Sequence, residues 1–425
     1  MDQITYFGLD LGEEYSQISY YRDSMEDAVS ISTHVGSRSY LIPTVVAKKP
    51  GVGQWFIGEE ALRMPGYVSG ILSKAYRKES LTVDCDEVQA VDLLTLFIRR
   101  VLSQAAVMGC DKQRDYFVFS VDRVSNPAVD TLLTITARLD IPRDHVKICG
   151  KKETFVSYVM QQDPVLYRNE VLLLDYWKNS FHAYVMHKDK GYEPPVVSVE
   201  EISAYCMQAI FEADKRPQQE QAEYKDSVFF SALDELLGNR LLSAVYLVGD
   251  GFEGDWMKKS LSRLCSGRRV FSGMNLFTKG ACYYGKRATR PLGDHPEFLY
   301  LGGGNLLFNL CLSVYNKGEN REQVLLGAGS FWQEARGAME IILAGEDEPV
   351  LTFIAHSIQG KTKREFSKAL PGLTVTPEKT TRLRIEANAL SKDRVRIVVR
   401  NLGFGEIIPQ ESGEWEFELN LKEEG

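Results

Sequence analysis

Hydrophobic and polar positions divide the chain into two regimes, mixed helix and strand up to about residue 290 and almost unbroken strand beyond it. The apolar run over 4–11 closes with Asp10-Leu11-Gly12, and 15–21 resumes with strand-like composition, which predicts a hairpin. Extended segments follow over 41–47 and 54–57, the latter leading into Gly58-Glu59-Glu60-Ala61, a helix entry. Over 87–107, Val91, Leu93, Leu94, Phe97, Ile98, Val101, Leu102 and Ala105 recur at spacings of three and four, as one buried helix face demands. Strand, helix and strand are predicted at 116–121, 127–139 (opened by Pro127) and 146–149. The run 171–174 ends in Asp175, and 181–186 predicts its returning partner, a second hairpin with an acidic head. Residues 187–243 read as helix-rich, followed by a strand over 244–248, a turn at Gly249-Asp250-Gly251, a helix over 255–264, a strand over 269–271 and a helix over 275–287.

The segment Arg290-Pro291-Leu292-Gly293-Asp294-His295-Pro296 cannot continue that helix and marks a boundary. Strands are predicted after it at 297–315, 322–327, 337–343, 349–358, 363–368, 380–388, 393–400 and 414–421. Several alternate, as in Arg382-Leu383-Arg384-Ile385-Glu386, so one face is buried and one wet, and the tail reads as a β-sandwich or barrel-like domain. Domains are therefore expected over 1–290 and 297–425. Gly302-Gly303-Gly304 reads as a bend in a strand rather than a phosphate loop, because no helical pattern follows it.

With 44% hydrophobic and 25% charged residues, the composition is that of a globular protein. No stretch reaches the roughly 20 apolar residues of a spanning helix, and Met1-Asp2-Gln3 lacks a basic leader, so a cytoplasmic protein off the membrane is expected. A net charge of −8 disfavours unspecific attraction to nucleic acid. The seven cysteines contain no Cys-x-x-Cys pair and read as reduced, mostly buried thiols; the six histidines show no metal-ligand spacing, with His182 and His187 straddling a strand end. No zinc site is expected.

Local motifs, in order, carry a resemblance to a known superfamily. Asp10-Leu11-Gly12-Glu13-Glu14-Tyr15-Ser16 is similar to a phosphate hairpin Asp-Leu-Gly-Thr-Thr-Tyr-Ser, and Ile42-Pro43-Thr44 with Ile57-Gly58-Glu59-Glu60-Ala61 to the Ile-Pro-Ser strand and the helix after it. Lys74 matches a catalytic lysine in spacing, and Glu153 falls at the glutamate of an Asn-Glu-Pro-Thr segment. Asp175-Tyr176-Trp177-Lys178-Asn179-Ser180-Phe181 keeps the aspartate, hydroxyl and phenylalanine of a second phosphate hairpin. The run from Val245 to Gly251 resembles an adenosine motif, and Lys279-Gly280-Ala281 a closing alanine-glycine helix. Over roughly 4–287 the chain thus resembles the actin, Hsp70 and sugar kinase superfamily, and Hsp70 most closely; the tail takes the place of the Hsp70 β-sandwich substrate domain, without the helical lid. What the resemblance implies is an α/β, two-lobed actin-like (ribonuclease H-like) ATPase fold, with a reduced adenine-clamp subdomain, followed by an all-β sandwich.

The resemblance also implies a site. Asp10 and Asp175 would hold magnesium, Lys74 and Glu153 would lie near the γ-phosphate, and Gly12, Glu13, Glu14, Ser16, Lys178, Asn179, Ser180, Gly249, Asp250 and Gly251 would line the nucleotide. ATP and magnesium are the implied ligands. The cradle is eroded, however: Trp177, Lys178 and Asn179 stand where three glycines belong. A carboxylate such as Glu13 or Glu14 about 4 Å from a phosphate charge is opposed by about 4 kcal/mol at an effective dielectric near 20. Weak or absent binding is expected, hence an Hsp70-like, chaperone-related scaffold with a degenerate ATP site and a protein-binding β-domain. The alternative is an active ATPase that drives domain rearrangement; a small-molecule kinase or an actin-like filament protein ranks below both. Trp332, Phe353, Phe366, Phe404, Trp415 and Phe417 are core residues first and peptide anchors second; Arg382, Arg384, Arg394 and Arg396 form a wet face first and an acidic-peptide site second.

Overall fold

The structure is a computed structural model, and it describes the chain except for residues 1–2, 35–36, 38, 50, 52, 85, 179, 290–296, 317–318, 344–348, 359–361, 374–380, 404–412 and 423–425. The fold is mixed α/β with several sheets and a β-rich C-terminal part. Two compact units form, Met1–Asp189 with Val197–His295, and Lys190–Val196 with Pro296–Gly425. Lys190–Val196 belongs with the second unit, where Leu299 N donates to Pro195 O at 2.9 Å. The expected boundary at 290–296 falls outside the described residues. No described helix is long and apolar enough to cross a membrane.

In the first unit one sheet runs in the order Val146–Gly150, Tyr116–Val121, Tyr6–Leu11, Tyr15–Tyr21, Val29–Ser30. A second runs through Arg269–Ser272, Leu242–Val248, Glu170–Trp177, Ser180–Asp189 and Val196–Ile202. Both share one plan: an antiparallel hairpin whose first strand has two parallel strands stacked beyond it. In each, a helix connects the two parallel strands, Asn126–Arg138 in one and Lys258–Leu264 in the other, and a further helix follows, Lys151–Met160 or Leu276–Ala288. Those last two helices pack closely because Gly280 has no side chain: a Cβ there would lie 2.0 Å from the Thr154 carbonyl oxygen.

Local chemistry explains the elements. Helix Ala90–Ala105 buries Leu93, Leu94, Phe97, Ile98, Val101, Leu102 and Ala105 with the first sheet's Phe7, Leu9 and Phe117 in one core. Each large side chain so buried stabilises by roughly 1.5–3 kcal/mol. Ser125 caps Asn126–Arg138 by accepting from Ala128 N. Lys258–Leu264 starts later than expected because the Asp226 carboxylate fixes its first turn, accepting from Lys259 N at 2.8 Å and Ser260 N at 3.0 Å. The region expected to be helix-rich also holds strand Val196–Ile202. His182 and His187 both lie inside Ser180–Asp189 rather than across its end.

The second unit has two antiparallel four-stranded sheets. One is ordered Glu319–Leu326, Phe308–Asn316, Val350–Ser357, Lys363–Ala369; the other Arg336–Ile342, Arg382–Ala389, Arg394–Asn401, Glu414–Asn420. Alternate residues of both, including Leu310, Leu312, Phe353, Ile385, Ile397 and Val399, meet in one core, the arrangement of a sandwich. The strand expected over 297–315 is broken: Gly303-Gly304 turn the chain, and Asn305 Nδ2 holds the turn by donating to Gly329 O at 2.9 Å. Phe353 is core, Trp332, Phe366, Trp415 and Phe417 pack against it, and Phe404 lies outside the described residues. The arginine row already faces glutamates, with Arg394 Nε–Glu418 at 2.5 Å, Arg396 Nη2–Glu416 at 2.6 Å and Arg384 Nε–Glu386 at 2.8 Å, while Arg382 Nε reaches Glu340 at 3.9 Å.

Candidate functional site

Parallel strands Tyr6–Leu11, Tyr116–Val121 and Val146–Gly150 end at one edge of the first sheet, and charged residues sit at or just past each end: Asp10, Asp122 and Lys151. The second hairpin brings Asp175 to the same place. The Lys151 ammonium lies 2.6 Å from the Asp122 carboxylate and 3.7 Å from that of Asp175, and its Nζ stands 5.0 Å from the Phe277 ring centroid. Burial opposes the charge on Lys151, but the carboxylates of Asp175, Asp122 and Asp10 reverse this and hold the ammonium well above its ordinary range. Burial pushes Asp10 up to about 6, with Asp122 and Asp175 adding to the rise and Lys151 and the neighbouring Ser120 hydroxyl resisting it. Asp175 is also raised, chiefly by burial, against the pull of Lys151 and Trp177.

Trp177 does not splay away from the second tip. Its indole Nε1 donates to Asp175 Oδ1 at 2.7 Å, and its ring lies 6.0 Å from that of Tyr15 at the first tip. The other residues of the second tip are held by their neighbours. The Asp250 carboxylate accepts backbone N–H groups from Lys178 and Gly251, and is raised by its burial and by Glu14. Ser180 pairs with Trp177 across the turn, and Asn179 lies outside the described residues. Gly249, at φ 108°, passes so close to Tyr176 that a Cβ would meet its carbonyl oxygen at 2.0 Å, and a Cβ at Gly251 would meet the Tyr176 ring at 2.3 Å. The turn expected to receive adenosine is thus packed against Tyr176, whose ring lies among Phe181, Phe211, Phe252 and Trp256.

At the first tip, Gly12 N donates to Tyr15 O at 3.1 Å. Glu13 turns back to the start of helix Ile71–Tyr76, its Oε1 accepting from Ser73 N at 2.8 Å. Glu14 is exposed and its carbonyl accepts from Thr44 N, while the buried Ser16 hydroxyl bonds that of Thr44 at 2.9 Å. Lys74 lies on the same short helix and donates to the Ser69 carbonyl at 2.8 Å. Glu153 reaches back from the first turn of Lys151–Met160, accepting its own backbone N–H and that of Gly150, the reciprocal half of a capping box. It is a helix cap in this structure.

Asp10 and Asp175 therefore both face Lys151, whereas Lys74, Glu13 and Glu153 are engaged elsewhere. As holders of hydrated magnesium and phosphates the residues fit badly: an ammonium already stands among the carboxylates, one Asp175 oxygen is bonded to an indole, and no glycine run frees the second tip for close approach. Lys151 and Asp122 were missed in the sequence. Their signal was position, charged residues directly after parallel strands, the edge where α/β sheets build sites.

Two family models match the chain. Residues 27–303 match one described as "Family of unknown function (DUF5716) C-terminal", and residues 305–421 one described as "Domain of unknown function (DUF8552)". No curated protein matches. The first match covers more than half of the chain, which belongs to the DUF5716 family.

Proposed function

We propose that this member of the DUF5716 family is a divergent actin- and Hsp70-like protein whose nucleotide site has become a structural ion cluster, and that it works as a chaperone-related scaffold binding protein through its β-unit. The observation that carries the reading is the Lys151 ammonium, 2.6 Å from Asp122 and 3.7 Å from Asp175, in the place where the resemblance puts magnesium. The duplicated sheet plan supports the two-lobed, ribonuclease H-like ancestry, since each hairpin delivers one aspartate to the charges around Lys151.

In this reading a lysine neutralises carboxylates that a catalytic relative would present to a metal, and Trp177 closes the tip. Phosphoryl transfer then lacks both its cation and its backbone cradle. A steady-state phosphate-release assay with magnesium ATP tests it, with Lys74→Ala and Asp10→Ala beside the parent. All three should release phosphate at the same background rate. Turnover in the parent that both substitutions abolish would replace the scaffold with the ATPase reading.

A further inference from the structure

A second constellation lies in the β-unit, far in sequence from the aspartate pair. Cys311 is on Phe308–Asn316, Glu322 on its neighbour Glu319–Leu326 and His356 on the other neighbour, Val350–Ser357. The registers Ser313↔Glu322 and Asn309↔His356 put all three on one face of the sheet, the side opposite Leu310, Leu312, Phe353 and Ala355 of the core. Their donor atoms, one thiol sulfur, one carboxylate oxygen and one imidazole nitrogen, lie within 4.8 Å of one another. Cys311 is buried, His356 is half-buried and Glu322 is exposed, so an ion has a way in.

We propose that Cys311, Glu322 and His356 bind a borderline-soft divalent transition metal, of which zinc is the type. Around a tetrahedral zinc, with bonds of about 2.0–2.3 Å, ligand atoms stand about 3.3–3.8 Å apart, so the three donors need only side-chain rotation to converge. His356 Nε2 and the Glu322 carboxylate already point at each other, and the ion would enter between them. A thiol and an imidazole select zinc or cobalt over magnesium or calcium. On binding, the Cys311 S–H bond breaks, its electron pair goes to the metal and the proton to water; His356 gives its neutral lone pair. Thiolate and carboxylate together balance the dication. Lys363, 3.3 Å from the other Glu322 oxygen and 3.1 Å from Glu365, then fixes the carboxylate from outside. Three protein donors leave a fourth position for water. The linear spacing hides this set because the ligands come from three strands rather than from one loop.

The test is a titration of the full, metal-stripped chain with cobalt(II) and then zinc. The expected result is one equivalent bound, a near-ultraviolet thiolate-to-cobalt band that zinc bleaches and magnesium does not, and release of protons. Cys311→Ser should abolish the band, and His356→Ala and the exposed Glu322→Gln should each weaken binding about tenfold or more, with circular dichroism showing all variants folded. Should Cys311→Ser fail to fold, the loss in Glu322→Gln and His356→Ala carries the test alone. A missing band in the parent, or a band and affinity that survive these substitutions, would overturn the proposal.

Discussion

The two hairpins of the first unit share a plan and differ at their tips. The first keeps Gly12, turns in a tight loop and sends Glu13 away to the start of a short helix. The second carries Trp177, which folds inward onto its own aspartate and lies beside Tyr15 of the first tip. The frame that delivers a carboxylate to the sheet edge is thus separable from the tip chemistry that would hold an anion. Here the frame brings the carboxylates together, Trp177 fills the second tip, and Lys151 supplies charge to the carboxylates.

The largest effect should come from the ammonium common to both hairpins. Lys151→Met leaves buried carboxylates unpaired and should lower the unfolding free energy by about 3–5 kcal/mol in urea titration; a loss below about 1 kcal/mol would break the comparison. Asp10 comes next. Its folded value near 6 lies above the ordinary 3.8, so its contribution is full below the unfolded value and is lost as pH rises through about 6. Parent stability minus Asp10→Asn stability should therefore fall by about 2–3 kcal/mol from pH about 3.5 to about 7; a flat difference would show that Asp10 is not strained. Trp177→Phe keeps the ring but removes the N–H bonded to Asp175, and should cost about 2 kcal/mol. The smallest expected effect, about 1 kcal/mol, belongs to Glu13→Ala, which uncaps Ile71–Tyr76; an equal loss at both tips would erase the contrast between them.

Much of the frame was legible in the sequence because its elements are strongly periodic. Strand Tyr116–Val121, helix Ala90–Ala105 and the alternating strands of the β-unit follow from the spacing of their apolar residues. Val196–Ile202 was not, since its polar Ser198, Glu200 and Glu201 interrupt the apolar run and pairing with the sheet makes it a strand. Asp10 and Asp175 were legible as carboxylates closing apolar runs. Lys151 was not: a lysine opening a helix reads as solvated, and only the fold places Asp122 and Asp175 against it. Glu153 looked catalytic by position, whereas its geometry is that of a helix cap.

The most direct test of the central claim, that a lysine stands in for the metal between the hairpin aspartates, is calorimetric titration of the parent chain with magnesium ATP. The account predicts no saturable heat at millimolar nucleotide. A submicromolar constant that disappears in Asp10→Ala would contradict it.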